Sequence, residues 1–281
     1  MQGKHVVITG ATTGIGRSTA REIARRGATV TLLCRSAEKA RELCAEIEAD
    51  GAAAPRVVLL DLASLESVRK AAAQLLATGE AIDVLLNNAG VINTARRESV
   101  DGFEETLAVN HFAPFLLTGL LLPLVQQAAH GRIVNVASDA HAFVRDMGFD
   151  DIQSERRYST FNVYGRSKLA NILFTRELSR RLAGSGVTVN CLHPGAVSTG
   201  LGTQNGFLGR ILPLLLKPFF RTPDKGAESS IYLACSDEIA DVSGEYFVDC
   251  RIAKAKPWAS DMEAATRLWQ YTEECVGFSY A

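Results

Sequence analysis

The chain has 281 residues, 47% hydrophobic and 22% charged, with 30 Lys and Arg against 31 Asp and Glu. A net charge of −1 offers no basic footprint for a nucleic acid, and the apolar share is that of a globular protein with a substantial core. The six cysteines form no C-x-x-C pair and no cluster with histidine, so they read as buried thiols of a reducing compartment rather than as metal ligands.

A strand, HVVIT at 5–9, begins too soon after the N-terminus for a signal peptide or membrane anchor, so a cytoplasmic protein is expected. TGATTGIG (9–16) follows and opens a helix near 15–26. In that order Gly10 suits a tight turn, Gly14 lets backbone approach a phosphate, and Gly16 permits close helix packing, with the helix N-terminus facing the anion. The spacing G-x-x-x-G-x-G differs from the most familiar dinucleotide fingerprint, and a glycine turn used only for packing is the alternative.

The second strand (28–34) ends Leu33–Cys34–Arg35–Ser36, with no acid for a ribose 2′-hydroxyl and with Arg35 and Arg17 as cations for a 2′-phosphate. A solvated surface arginine is the plainer reading. A helix near 37–49 and a strand at 56–60 lead to Asp61, which either accepts from an adenine amino group or caps the helix near 64–78. The fourth strand (82–87) closes in NNAG (87–90), whose Asn88, Ala89 and Gly90 can let a flat ligand lie on backbone or simply turn the chain.

The helix near 103–128 carries Asn110 in its middle, a poor helix former there. A helix irregularity, a core hydrogen bond or catalysis would each account for it. Ser138 ends the fifth strand (131–138), and His111 and His193 read as packing or supporting residues. The helix near 162–184 sets Tyr164 and Lys168 four residues apart, hence on one face. A positive charge ~6 Å from a phenol, at an effective dielectric of ~20, contributes about 2.8 kcal/mol, enough to bring its pKa from ~10 towards ~8. Strands at 187–193 and 245–249 and helices near 224–236 and 259–275 complete the chain.

Seven mostly continuous apolar strands alternating with helices predict a single α/β domain over 1–281: a doubly wound parallel sheet of Rossmann type with helices on both faces. Two insertions break the rhythm, at 139–161 and 196–223, each after a strand's C-terminal end, where such sheets bind ligands. Within the second, FLGRILPLLLKPFF (207–220) is interrupted by Arg210, Pro213, Lys217 and Pro218 and so does not span a bilayer. Its apolar residues can roof a pocket, touch a membrane surface or form a dimer interface.

These motifs together, in this order, resemble the short-chain dehydrogenase/reductase family, and LLCRS, NNAGV, DGFEETLAVNHF and GRSKLANILFTREL resemble its retinol dehydrogenase-like branch. The resemblance implies NADP(H) in preference to NAD(H) and a lipophilic alcohol, aldehyde or ketone substrate; a steroid, quinone or polyketide-like ketone, or a silent NADP-binding regulator, is the alternative. It implies that Tyr164 is the proton donor, Lys168 its electrostatic partner and ribose ligand, Ser138 the group that orients the substrate oxygen, and Asn110 the anchor of a relay water. It implies cofactor contacts from Gly10, Thr12, Thr13, Gly14, Ile15, Gly16, Arg35, Asp61, Leu62, Asn88, Ala89, Gly90, Tyr164, Lys168, Pro194, Gly195, Val197 and Thr199. A homodimer through the helices at 103–128 and 162–184 is a further implication, with plain core packing as its rival.

Overall fold

The computed structural model describes residues 1–197 and 221–280. Thr199 and the apolar segment 207–220 lie outside them. Strands β1 (His5–Thr9), β2 (Thr29–Cys34), β3 (Arg56–Leu59), β4 (Val84–Asn87), β5 (Arg132–Val136), β6 (Thr188–His193) and β7 (Tyr246–Val248) pair in parallel in the order 3-2-1-4-5-6-7. An eighth strand, β8 (Arg251–Ile252), extends the sheet antiparallel to β7, so the sheet has eight strands where the sequence predicts seven. Two exposed residues after a two-residue turn carry too little periodicity to be seen in sequence.

Alternation along the strands feeds two apolar layers. Val6 and Ile8 of β1 join Val30 and Leu32 of β2 beneath α1 (Gly14–Arg25), α2 (Ala37–Ala49) and α6 (Pro223–Cys235). Val7, Leu33 and Leu85 point the other way, towards α3 (Leu65–Leu76), α4 (Glu105–Gln126), α5 (Thr160–Arg181) and α7 (Met262–Val276). By length and composition α4 is apolar enough to cross a membrane, but most of it is buried in this layer.

Helix α7 packs on α4 and α5. Trp269 meets Phe115 at 4.8 Å between ring centroids, and the Tyr280 hydroxyl donates to the Phe115 carbonyl at 2.7 Å. The chain's own C-terminal segment thus covers one face of the two long helices. The strand order reverses between β1 and β4, and a ligand crevice opens at the strand C-termini beside such a reversal.

Candidate active site

A cavity of about 820 Å³ occupies that crevice, within the range of small-molecule sites. Gly10 and Gly14 hold the β1–α1 turn with φ of 66° and 54°, in the left-handed region open to glycine. A Cβ on Gly16 would stand 2.5 Å from the Gly10 carbonyl oxygen and 2.4 Å from Asn88 Nδ2, so the turn closes on itself only without a side chain there. Asn88 Nδ2 donates to the Thr9 and Gly10 carbonyls at 2.9 and 3.2 Å, tying the NNAG turn to the glycine turn. The Asn88 side chain is therefore engaged by the protein, which leaves backbone as the surface for a flat ligand.

Helices α2, α3, α6 and α7 are capped by Ser36, Ser64, Thr222 and Asp261, and each has an acid in its first turn. Helix α1 has neither: Thr13 makes no capping bond and no acid follows. Its first N–H groups and positive dipole end are left for an anion, and Thr12, Thr13, Gly14, Ile15 and Gly16 all line the cavity. This turn fits the pyrophosphate of a dinucleotide.

At one end of the cavity lie Cys34, Arg35, Ser36, Lys39, Asp61 and Leu62. Arg35 and Lys39 are exposed there, whereas Arg17 is ion-paired with Glu46 of α2 and does not line the cavity. The second cation is thus Lys39, brought back by the first turn of α2, where the sequence suggests Arg17. The Cys34 thiol donates to the Ser36 carbonyl at 3.7 Å, and no carboxylate replaces it. Asp61 Oδ1 accepts from Ala63 N at 3.0 Å, closing a short turn ahead of α3, and Asp61 still borders the cavity.

At the other end, α5 presents Tyr164 and Lys168. Lys168 Nζ donates to the Val136 carbonyl at 2.9 Å and lies 5.7 Å from the centre of the Tyr164 ring. The Ser138 side chain acts on the Tyr164 phenol in the sense that favours its charged form. Ser138 Oγ itself accepts from Ala140 N at 3.1 Å, which aims its proton elsewhere. Burial pushes the phenol up to about 12, with Ser138 pulling weakly the other way, and pushes the lysine down to about 8. The spacing alone predicts a phenol lowered by its lysine; without cofactor, loss of water outweighs that attraction for both groups.

Asn110 sits in a π-helical turn, Ala108–Phe112, within α4. Its Oδ1 accepts from Val91 N at 2.8 Å, and its Nδ2 donates to the Val91 carbonyl and to Ser167 Oγ, both at 3.0 Å. Ser167 Oγ in turn donates to the Tyr164 carbonyl at 2.8 Å. Two of the expected reasons for Asn110, a helix irregularity and a core hydrogen bond, are both present. Its side chain ties the segment after β4 to α4 and α5, and it does not line the cavity. Gly90 lies against this cluster: a Cβ there would meet Asn110 Oδ1 and Lys168 Nζ at 3.4 Å, an ordinary contact distance.

Ser138, Ala89, Gly90, Pro194, Gly195 and Val197 complete the expected cavity lining. Gly195 has φ 84°, and Arg221, ion-paired with Asp249, crosses over it. Lys39 and His193 line the cavity without having been singled out for it in sequence, whereas Phe143 and Phe161 lie in the 139–161 insertion expected at the ligand side. Lys39 lies four residues after Arg35, a spacing that could have pointed to it.

The family profile described as short chain dehydrogenase matches residues 4–206. The chain belongs to the short-chain dehydrogenase/reductase family. It is 45% identical to retinol dehydrogenase 14 of Mus musculus, over 99% of this chain and 87% of that one. It is 44% identical to retinol dehydrogenase 13 of Homo sapiens, over 98% and 85%. A crystal structure of an uncharacterised protein from Mycobacterium paratuberculosis superposes with a TM-score of 0.80, at 33% identity, covering 100% of this chain and 96% of that one. A protein from Escherichia coli CFT073 assigned to the short chain dehydrogenases, solved with NADPH, gives 0.70 at 25% identity, covering 89% and 97%. As a retinol dehydrogenase-like member of the short-chain dehydrogenase/reductase family, the chain is an NAD(P)-dependent oxidoreductase acting on alcohol and carbonyl groups.

Proposed function

We propose that this short-chain dehydrogenase/reductase uses NADP(H) in preference to NAD(H) and interconverts a lipophilic alcohol with its aldehyde or ketone. The aromatic pair at the cavity mouth carries the substrate half. Phe143 and Phe161 are 59% and 64% exposed, with ring centres 6.0 Å apart and planes at 88°. Two large apolar side chains left in water at a cleft's edge favour an apolar guest. The retinol dehydrogenases among the relatives point the same way. The cofactor half rests on Arg35 and Lys39, two cations beside Cys34, where the thiol stands in the place of a carboxylate that would repel a 2′-phosphate.

The residues fit the dinucleotide: the uncapped start of α1 would hold its phosphates, Arg35 and Lys39 its 2′-phosphate, and Lys168 the ribose hydroxyls near the nicotinamide. Bound cofactor supplies or accepts the hydride. In carbonyl reduction the Tyr164 hydroxyl gives its proton to the substrate oxygen; in alcohol oxidation Tyr164 takes that proton back. Ser138 orients the same oxygen, and the ammonium of Lys168 steadies the phenolate.

The test is an initial-rate panel of aldehydes and ketones of rising chain length with NADPH and with NADH. Higher kcat/KM for longer substrates, and for NADPH over NADH, is the expected outcome. A flat response to chain length would reject the lipophilic reading, and equal cofactor efficiencies would reject the preference.

A further inference from the structure

The peptide group joining Ser138 to Asp139 is held at both ends by imidazoles. Its carbonyl oxygen accepts from His141 Nδ1 at 2.8 Å, and its N–H donates to His193 Nδ1 at 3.1 Å. Each contact settles a tautomer. A backbone N–H can only donate, so His193 Nδ1 carries no proton. His141 Nε2 accepts from Lys256 N at 3.1 Å, so that nitrogen is bare and Nδ1 carries the proton given to Ser138. Both rings are neutral in this arrangement.

The supports come from separate parts of the chain. His193 ends β6 and precedes the Pro194–Gly195 turn. His141 is 1% exposed, lies edge-on to Tyr246 at 5.4 Å, and accepts from Trp258 Nε1 through its carbonyl at 3.0 Å. The plane of the Ser138–Asp139 peptide sets the backbone from which the Ser138 hydroxyl projects. It is therefore fixed by β6 on one side and by the 256–258 segment on the other.

We propose that His141 and His193 are positioning residues, two neutral imidazoles that orient the Ser138 hydroxyl by clamping the Ser138–Asp139 peptide. The proposal rests on the reading of Ser138 and Tyr164 as the reacting pair. Protonating His193 sets an N–H against the Asp139 N–H and releases the peptide. Protonating His141 sets an N–H against that of Lys256 and detaches the C-terminal segment.

The charged surroundings of the two rings are mixed. His193 faces Asp139 and Asp249, which favour the proton, and Arg221 and His141, which oppose it. His141 faces Asp139 on one side and Lys256 on the other. Burial is the largest influence on each and lowers both below the ordinary histidine value of 6.5. The clamp is thus intact at neutral pH and opens in acid.

The experiment measures kcat, KM and cofactor affinity against pH for the full chain with His193→Asn, His193→Leu, His141→Asn and His141→Leu. Asn at 193 keeps an acceptor in the place of Nδ1 but cannot titrate, and Asn at 141 keeps the donor to Ser138. The Leu variants should lose about 10- to 100-fold in kcat, the scale of a misplaced reacting group, with cofactor affinity unchanged. The Asn variants should keep most of it, and His193→Asn should lose its part of the acid limb of the kcat profile. Wild-type kcat in both Leu variants would overturn the clamp, as would an unaltered acid limb in a folded His193→Asn. Ser138→Ala separates the two readings: full activity in that variant would sink the role of Ser138 itself, whereas impaired Ser138→Ala beside unimpaired histidine variants would sink only the clamp.

Discussion

Lys168 Nζ stands 5.7 Å from the centre of the Tyr164 ring while donating to the Val136 carbonyl at 2.9 Å. The strand thus holds the ammonium behind the phenol rather than against its oxygen. Burial acts on both partners and in opposite senses, raising the phenol to about 12 and lowering the lysine to about 8. Burial thus works against the charged form of each. The cation of oxidised nicotinamide adds the positive charge that draws the phenol back down.

The raised phenol is open to spectroscopy. The phenolate absorbance of wild type minus Tyr164→Phe should titrate near 12 without cofactor and distinctly lower with oxidised cofactor. A phenolate already formed near pH 8 in the free protein would contradict it. The same Tyr164→Phe change should cut turnover by at least ~10²- to 10⁴-fold while cofactor binding hardly moves.

Cofactor choice should track the two cations at the end of β2. A charge-assisted contact of ~1.5–3 kcal/mol corresponds to roughly 10–150-fold preference for NADPH. Arg35→Ala should remove most of it, Lys39→Ala a smaller part, and both should leave NADH nearly unaffected. Arg17→Ala should leave the preference unchanged, because that guanidinium belongs to Glu46. Cys34→Asp together with Arg35→Ala should invert the preference. A ratio of NADPH to NADH efficiency that ignores Arg35 and Lys39 would show them to be surface charges only.

Gly16→Ala tests the cradle. The new methyl would meet the Gly10 carbonyl oxygen at 2.5 Å and Asn88 Nδ2 at 2.4 Å, and the Gly10 backbone cannot step aside cheaply. Overpacking of this kind costs about 1–3 kcal/mol. The midpoint of denaturant unfolding should fall accordingly, and cofactor titration should show weakened binding. Gly79, where a Cβ meets nothing within 4 Å, has φ 64°, so alanine there should cost a little stability through backbone strain and leave cofactor affinity intact.

His111 gives a pH dependence of stability separate from catalysis. It is 1% exposed among Phe112, Phe115 and Phe174, and burial lowers its pKa to about 3. The unfolded chain takes up this proton below about 6.5 while the folded chain does not, so stability falls as pH falls from there towards 3. Between about pH 7 and pH 5 the loss from this residue should be about 2 kcal/mol. His111→Phe should remove that share, since Thr272 Oγ1 keeps its bond to the Leu268 carbonyl. An unchanged pH slope in urea unfolding would count against it.

The helices and parallel strands were legible because their signals are local. Hydrophobic period, the strand–glycine–helix order at 5–16 and the four-residue spacing of Tyr164 and Lys168 each lie within one short stretch. Strand β8 was not, having two exposed residues. The site's lining was largely legible from motifs, but which groups face it was not. Arg17 and Lys39 look interchangeable in sequence; only the packing of α2 against α1 gives one to Glu46 and leaves the other at the cavity.

The same division explains Asn110 and the histidines. The sequence determined that a poor helix former interrupts α4 and that His193 ends strand β6. Tertiary structure decided that Asn110 braces Val91 and Ser167, and that His141 and His193 grip one peptide group from opposite sides. It also decided that burial works against the charged form of both Lys168 and Tyr164. Spacing along a helix sets how near two charges stand, but the cost of burying them depends on the whole protein around them.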